Sequence, residues 1–311
     1  MQNFLAIPIG LLVLLSPAAL GLLKVEEARH EVYFADPVVY HAHLPAPERA
    51  DAVFEWLGYR PAEVRSGDAP VPRRFLASLP AGLKGVRRAQ DRKRIFIATL
   101  LPLVLRANEL IARDRARIER FESRIRSGRA IRPEAAEWLV AMAERYRLEG
   151  VERVEDIDYD ALLMRVDIVP PSLALAQGAI ESGWGTSRFA RDGNAIFGQW
   201  TWNEGDPGLV PAQRAEGKTH RVRAFAFLID SVRGYMRNLN TAGAYAGLRS
   251  LRAQLRERGQ PVRGLPLAST LRRYSERGEA YVADLRGIIT SNRLSDFNAA
   301  SLAPPAPVPL S

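Results

Sequence analysis

The sequence predicts an α+β protein that is mainly α, with a helical body and a small β-hairpin lobe, preceded by an N-terminal hydrophobic segment. Three observations support this class: an uncharged apolar stretch over residues 4–23, sustained helical periodicity from residue 91, and a short alternating stretch over residues 220–224. With 311 residues, 47% of them hydrophobic, the chain can bury a substantial core without disulfide bonds.

The first residues predict export. Residues 4–23 carry no charged side chain and are just long enough to span a bilayer as a helix. The three residues before them lack a basic side chain, whereas residues 16–19 (SPAA) supply the helix breaker and small residues of a cleavage site. We expect residues 1–23 to be a signal peptide or an inner-membrane anchor, which places the protein in the periplasm or cell envelope. A buried globular helix is the alternative.

Composition narrows the possible chemistry. The absence of cysteine excludes disulfide bonds, thiol catalysis and cysteine-ligated zinc. The 44 basic and 35 acidic residues give a formal net charge of +9, which favours a polyanionic partner such as an acidic cell wall, although a bias towards arginine in the genome explains it equally. No nucleic acid is expected as a partner, because acidic residues separate the basic ones and no binding motif is present.

The regions before and after the centre of the chain differ in character. Residues 24–90 are rich in proline, so we expect an irregular region of loops and short helices over the surface. Hydrophobic periodicity then predicts helices over residues 91–127, 133–149 and 159–166. We expect residues 91–165 to pack on a catalytic domain over residues 166–296, and the proline-rich residues 297–311 to form a mobile tail.

A carboxylate near the end of the next predicted helix is the strongest candidate for chemistry. Ser172 is a suitable N-cap after two prolines, and Gly183 ends the helix just beyond Glu181. The negative end of the helix and the neighbouring indole of Trp184 both disfavour a charged carboxylate, so both raise the pKa of Glu181. A general acid that works near neutral pH needs such a pKa. An inert surface glutamate is the alternative.

Aromatic and amide side chains follow Glu181 closely. Three of the 5 tryptophans lie in one short window, interleaved with glycines and amides. Aromatic faces can stack on pyranose rings while amides bind hydroxyl and acetamide groups, although core packing explains one or two of these aromatics. The candidate substrate-binding residues are Trp184, Asn194, Phe197, Gln199, Trp200 and Trp202.

A strand pattern predicts a β-lobe beside this helix. Residues 220–224 alternate between arginine and His, Val or Ala, as in a β-hairpin. Such a lobe would form one wall of a cleft, and a second carboxylate could project from it. The candidates are Glu204, Asp206 and Glu216.

Several motifs in this part of the chain resemble a known enzyme family. Residues 179–185 (AIESGWG) and 194–198 (NAIFG) are similar to the glucosaminidases of glycoside hydrolase family 73. Residues 197–202 (FGQWTW), 231–241 (SVRGYMRNLNT) and 274–281 (YSERGEAY) resemble its Bax-type bacterial branch. The resemblance covers about residues 91–294.

The resemblance implies a lysozyme-like fold, with Glu181 as the catalytic acid and Tyr281 as a cleft tyrosine of the C-terminal helix. A core tyrosine is the alternative for Tyr281. The second acid of the family aligns poorly here: Glu216 is the best match, and Gln213 is the other residue that could occupy its place. No metal or organic cofactor is expected, because no metal-ligand cluster, dinucleotide fingerprint or phosphate-binding loop occurs in the sequence.

Together these features predict an endo-β-N-acetylglucosaminidase that hydrolyses β-1,4 bonds of the peptidoglycan glycan strand. Two carboxyl groups roughly 6.5–9.5 Å apart would invert the anomeric centre, and roughly 5–5.5 Å would imply a covalent intermediate. Without a second acid, the 2-acetamido group of the substrate could attack instead. A lytic transglycosylase, which leaves 1,6-anhydro ends, is the alternative enzyme. A non-catalytic wall-binding scaffold is the alternative of another class.

Overall fold

In a computed structural model, the chain is described over residues 49–203, 205–210 and 220–305. All of these residues belong to one unit of the chain, Ala42–Ser311. The expected signal peptide or anchor, the candidates Glu204 and Glu216 and residues 306–311 of the proline-rich tail lie outside the described residues. The first residues of the expected mobile tail are instead part of the fold, because Phe297 is 0% exposed and Ala303 N donates to Val71 O at 2.8 Å.

Helices dominate the described part of the chain. In chain order they are α1 (Val53–Leu57), α2 (Pro61–Ser66), α3 (Ala89–Arg126), α4 (Pro133–Arg145), α5 (Tyr159–Arg165), α6 (Pro171–Ser182), α7 (Arg188–Gly193), α8 (Leu228–Thr241), α9 (Ala246–Glu257), α10 (Gly264–Ala268) and α11 (Glu279–Ser291). Three short strands, β1 (Trp200–Thr201), β2 (Gly208–Leu209) and β3 (Arg221–Arg223), form an antiparallel sheet in the order β1-β3-β2. The predicted class, α+β and mainly α with a small β-lobe, is confirmed.

The first half of α3 forms the centre of the main core. Nearly every side chain from Ile95 to Leu110 is buried, as expected for a helix that is apolar on all sides. Among the described residues, α3 is the one helix whose length and composition would allow it to cross a membrane, and 83% of its most apolar window is buried inside the protein. It is therefore a core helix of this fold.

The second half of α3 packs with α4 and α5 around a smaller core. The buried residues of this core are Ile118, Leu139, Met142, Ala143, Tyr146, Val154, Ile157, Leu162 and Val166. α4 begins at Pro133, where the missing N–H costs no helical hydrogen bond. α5 begins after Asp158, whose carboxylate accepts a hydrogen bond from Ala161 N at 2.9 Å. The three helices predicted from periodicity match α3, α4 and α5 to within a few residues.

Residues 49–90 do not lie over the surface as expected. Short helices are present, but α1 and α2 pack on α3 and bury Val53, Leu57 and Val64, while Trp56 of α1 stays exposed. Tyr59 Oη donates to Ala98 O at 2.6 Å, and Val71 forms a parallel β-bridge with Leu302. The expected surface position was wrong. Prolines interrupt regular secondary structure, but the apolar residues between them are still buried in the core.

Helix α6 is buried on almost all sides and carries the candidate acid. It packs against α3, α10, α11 and the turn Leu294–Ala299. Gly178 permits this approach, because a Cβ there would lie 3.0 Å from Leu100 and 3.1 Å from Ile196. The helix begins at Pro171, so Ser172 lies in the first turn and is not the N-cap that the sequence predicted. Proline suits this position because the first N–H of a helix has no intrahelical partner.

A buried ion cluster fixes the segment that leads into α6. Arg252, which is 0% exposed, places Nε 3.4 Å from Asp167 Oδ2 and donates to the carbonyl oxygens of Ile168 and Met164 at 2.8 and 3.0 Å. Arg256 Nε also donates to Asp167 Oδ2, at 2.6 Å. Because the cluster is removed from water, loss of either charge would leave the other uncompensated.

Candidate active site

Glu181 lies on the last turn of α6, with its side chain partly buried. The helix ends after Ser182 because Gly183 adopts a left-handed conformation, with φ of +59°. Burial raises the pKa of Glu181, and a hydrogen bond from Tyr281 opposes this effect. The direction expected from the sequence is therefore confirmed, with desolvation as the main cause.

Tyr281, on α11, hydrogen-bonds to this carboxyl group. Its Oη donates to Glu181 Oε1 at 3.0 Å and accepts from Gln177 Nε2 at 3.0 Å. Tyr235 Oη donates to Gln177 Oε1 at 2.7 Å. Burial raises the pKa of Tyr281 far above its ordinary value, so the phenol stays protonated and remains available as a donor.

An aromatic layer holds these hydrogen bonds in place. The ring of Tyr274 stacks on that of Tyr281, with centroids 5.5 Å apart and planes at 9°. Tyr245 lies against the ring of Tyr274, at 5.8 Å. The ring of Phe197 stacks on that of Tyr235, at 3.9 Å and 6°. The network below Glu181 is thus enclosed by rings that restrict its movement.

Asn194 and Phe197 support the site from within the core. Asn194 is 8% exposed and its Nδ2 donates to the carbonyl oxygens of Phe225 and Ala226, at 3.1 Å each. Phe197 is 2% exposed, so its ring presents no face to a sugar. Both residues therefore pack in the core and do not contact substrate as the sequence predicted. For Phe197, the sequence alone does not distinguish an aromatic side chain of the core from one that lines a cleft.

Gly198 and Gln199 connect the core to the β-lobe. Gly198 has φ of +61°, and a Cβ built there would lie 3.8 Å from Glu181 Oε2. The backbone at Gly198 therefore lies beside Oε2, the carboxyl oxygen of Glu181 to which Tyr281 is not hydrogen-bonded. Gln199 O accepts from Arg223 N at 2.8 Å, and the Gln199 side chain packs over Gly234, where a Cβ would lie 2.9 Å from Nε2.

The two tryptophans of the β-lobe are exposed. Trp200 is 54% exposed and Trp202 is 67% exposed, and their rings lie 6.1 Å apart at 49°. His220 stacks on Trp200 at 4.1 Å and 6°, which covers one face of that indole. Large aromatics left in solvent are available to a ligand, and the sequence motif places them two and four residues after Gly198.

The described contacts of Trp184 are with α3. Its ring meets the edge of Phe96 at 5.7 Å and 76°, and Lys93 Nζ lies 5.0 Å from the ring centroid. The adjacent Gly185 is wedged against Leu83, 2.8 Å from its hypothetical Cβ. Trp184 therefore anchors the turn that ends α6 and so helps to position Glu181.

Asp206 is the candidate second carboxylate that the structure describes. Its Oδ2 accepts from Thr201 Oγ1 at 2.7 Å and lies 3.8 Å from Arg223 Nε, so Asp206 braces β1 against β3. Glu204 and Glu216 lie outside the described residues. Within the described ranges, no group of three or more His, Asp or Glu side chains is arranged to hold a metal ion.

Sequence reasoning missed the residues that connect Glu181 to the core. Gln177 carried a signal, because it is a polar residue four positions before Glu181 on a helix of mostly apolar side chains. Tyr235 and Tyr274 fall within the motifs of residues 231–241 and 274–281, but nothing in the sequence alone joins them to one site.

The chain has relatives among known proteins. Residues 158–294 match the family model Glucosaminidase, described as mannosyl-glycoprotein endo-beta-N-acetylglucosaminidase. Protein bax of Escherichia coli (strain K12) is 33% identical over 205 residues, which are 66% of this chain and 71% of that protein. Among solved structures, the catalytic domain of the autolysin Auto from Listeria monocytogenes is 16% identical with a TM-score of 0.32, over 58% of this chain and 96% of that domain. On the family model and the identity to protein bax, the chain belongs to the Bax-type glucosaminidases, a family of glycoside hydrolases.

Proposed function

We propose that this protein is an endo-β-N-acetylglucosaminidase that hydrolyses β-1,4 bonds in the glycan strands of peptidoglycan, with Glu181 as the general acid. One observation carries the assignment. Glu181 is a partly buried carboxyl group of raised pKa, with one oxygen held by Tyr281 and the other beside Gly198, at the start of the β-lobe. A carboxyl group in such surroundings can donate a proton near neutral pH.

The reaction begins with proton transfer from Glu181 to the glycosidic oxygen. As the bond to the anomeric carbon breaks, Glu181 becomes a carboxylate, and the hydrogen bond from Tyr281 stabilises the new charge. The opposite face of the sugar is attacked either by water that Glu216 activates or by the 2-acetamido oxygen of the substrate. We propose that Tyr281, which is 1% exposed, takes part through this hydrogen bond to Glu181 and not through a contact with the sugar, so the cleft position that the resemblance implied gives way to a core position.

Glycan binding is assigned to the exposed indoles. Trp200 and Trp202 offer flat apolar faces on the lobe beside Glu181, and these match the apolar faces of pyranose rings. Gln199 is only partly buried, and we propose that its side chain makes a polar contact with the glycan. We propose that Trp184 also contacts the glycan, through the part of its ring that α3 does not cover.

Product analysis tests the proposal. The full-length protein is incubated with purified sacculi, and the released fragments are analysed by mass spectrometry. Reducing N-acetylglucosamine ends are the expected result. Muramyl 1,6-anhydro ends would instead identify a lytic transglycosylase, and binding to sacculi without release of fragments would identify a wall-binding scaffold.

The substrate also determines where the enzyme works. Because peptidoglycan lies outside the cytoplasmic membrane, we place the protein in the cell envelope, with residues 4–23 as its export signal or inner-membrane anchor. Sequencing the N-terminus of the mature protein from fractionated cells distinguishes the two. A new terminus after residue 16 indicates a cleaved signal, whereas an intact terminus in the membrane fraction indicates an anchor. Recovery in the cytoplasm would contradict the assignment.

A further inference from the structure

Gln177 is a buried amide on α6, one helical turn before Glu181. It is 0% exposed, and both of its polar atoms are hydrogen-bonded to tyrosines. Nε2 donates to Tyr281 Oη at 3.0 Å, and Oε1 accepts from Tyr235 Oη at 2.7 Å. Gln177 does not itself touch the carboxyl group of Glu181 in the described contacts, so any influence on the acid passes through Tyr281.

The amide fixes the direction of each hydrogen bond. The nitrogen of an amide only donates, so Gln177 Nε2 occupies a lone pair of Tyr281 Oη and leaves the phenol hydrogen for Glu181. The oxygen of the amide only accepts, so in this orientation Tyr235 Oη donates its hydrogen to Gln177 Oε1. Glu181 Oε1, which lies 3.0 Å from Tyr281 Oη, therefore acts as an acceptor.

We propose that Gln177 is a positioning residue, which acts through Tyr281 to keep the proton of Glu181 on Oε2, the oxygen beside Gly198. When Glu181 is protonated, one of its oxygens is a carbonyl and the other a hydroxyl. The carbonyl oxygen is the stronger acceptor, so the bond from Tyr281 selects Oε1 as the carbonyl. This proposal rests on the proposed role of Glu181 as general acid.

The surrounding packing makes the arrangement rigid. Tyr235 is 0% exposed and Tyr281 is 1% exposed, and their rings stack on Phe197 and Tyr274. A buried polar network in which each member is satisfied has few alternative arrangements. The direction of the phenol hydrogen is therefore set before substrate arrives.

The consequence for the reaction concerns one proton. The Oε2–H bond breaks as the proton passes to the glycosidic oxygen, and the bond from that oxygen to the anomeric carbon breaks with its electron pair on the oxygen. Oε1 keeps its hydrogen bond from Tyr281, which strengthens as Glu181 acquires charge. Water later supplies the hydroxyl group of the new sugar end and the proton that restores Glu181.

A double-mutant cycle tests the proposal. Gln177→Met keeps the length of the side chain and removes both hydrogen bonds, and Tyr281→Phe removes the phenol. We expect Gln177→Met to lower kcat about tenfold, as for the loss of one hydrogen bond, with little change in KM. The alkaline limb of the pH–rate profile should move to higher pH, because a weaker bond from Tyr281 stabilises the carboxylate less. In the Tyr281→Phe background, Gln177→Met should cause no further loss.

The outcomes separate this proposal from its alternatives. Equal losses of kcat in both backgrounds, or an unmoved alkaline limb, would show a merely structural role for Gln177. Gln254→Met, at an exposed position on α9, is the matched control and should leave kcat unchanged. If Gln177→Met does not fold, Tyr235→Phe replaces it in the cycle: it removes only the hydroxyl that orients the amide, and the same shift and the same non-additivity are required. Substantial hydrolysis by Glu181→Gln would overturn the proposed function itself, whereas an inactive Glu181→Gln beside an unaffected Gln177→Met would overturn only the role of Gln177.

Discussion

Gly198 offers a test of the space beside the candidate acid. Its φ of +61° is unfavourable for an L-residue, so Gly198→Ala should cost about 1–2 kcal/mol of stability, which lowers Tm by roughly 2–8 °C in a protein of this size. The added methyl carbon would lie 3.8 Å from Glu181 Oε2, where the glycosidic oxygen must approach to about 3 Å. Displacing the substrate by about 1 Å should lower turnover on the order of 100-fold.

Gly67→Ala is the matched control. Gly67 has φ of +83°, and a Cβ there meets nothing within 4 Å, so the variant shares the backbone strain without a methyl group near Glu181. Thermal unfolding gives the stability of both variants, and release of soluble fragments from purified peptidoglycan, per folded molecule, gives turnover. Similar losses of Tm with a loss of turnover only in Gly198→Ala are expected. Full turnover by Gly198→Ala would refute the placement of substrate beside Oε2.

Three further predictions concern stability and binding. Burial raises the pKa of Asp114 to about 6, although the positive charges of Arg113, Arg117 and Arg233 lower it. Between about pH 4 and pH 6 the native state therefore holds a proton that the unfolded state has lost, so the free energy of unfolding falls as pH rises through this range. Asp114→Asn should therefore raise stability by about 1–3 kcal/mol at pH 7 and by nothing near pH 4, measured by urea unfolding at both pH values; an equal gain at both would contradict this. Asp167→Asn leaves Arg252 buried without its counter-charge and should cost about 3–5 kcal/mol in the same assay, and a loss below 1 kcal/mol would contradict the described cluster. Trp202→Ala should raise KM for glycan fragments about 3- to 10-fold with kcat little changed, since an aromatic contact contributes about 0.5–1.5 kcal/mol; an unchanged KM would remove Trp202 from the binding site.

Local signals explain why much of the helical body could be predicted. The helices α3, α4 and α5 follow from apolar periodicity bounded by proline, glycine and aspartate, which act within a few residues. The end of α6 follows from Gly183, which places Glu181 on the last turn. These features depend on residues that are close in sequence, so they can be predicted without knowledge of the tertiary structure.

The network around Glu181 could not be predicted because its members are distant in sequence. Tyr235 and Tyr281 reach Gln177 across 58 and 104 residues, and only the tertiary structure brings α6, α8 and α11 together at this point. The same limit explains Phe197, whose hydrophobicity suits either a cleft wall or a core. Its stacking on Tyr235 decides between them.

Residues 49–90 show a different limit. Their prolines and short apolar patches correctly indicated interrupted structure, but the same composition is compatible with a surface position or with burial. The hydrogen bond from Tyr59 to Ala98 and the bridge from Val71 to Leu302 join this segment to parts of the chain that local patterns do not identify.

The central claim is that Glu181 supplies the proton that cleaves the glycan. Glu181→Gln keeps the shape of the side chain and removes the acid, and Glu257→Gln makes the same change at the last residue of α9, where the side chain is exposed. Release of fragments from purified peptidoglycan should fall about 10²- to 10⁴-fold in Glu181→Gln, remain at the level of the unaltered protein in Glu257→Gln, and be accompanied by no loss of Tm in either. A Glu181→Gln protein that digests peptidoglycan as fast as the Glu257→Gln protein would contradict the claim.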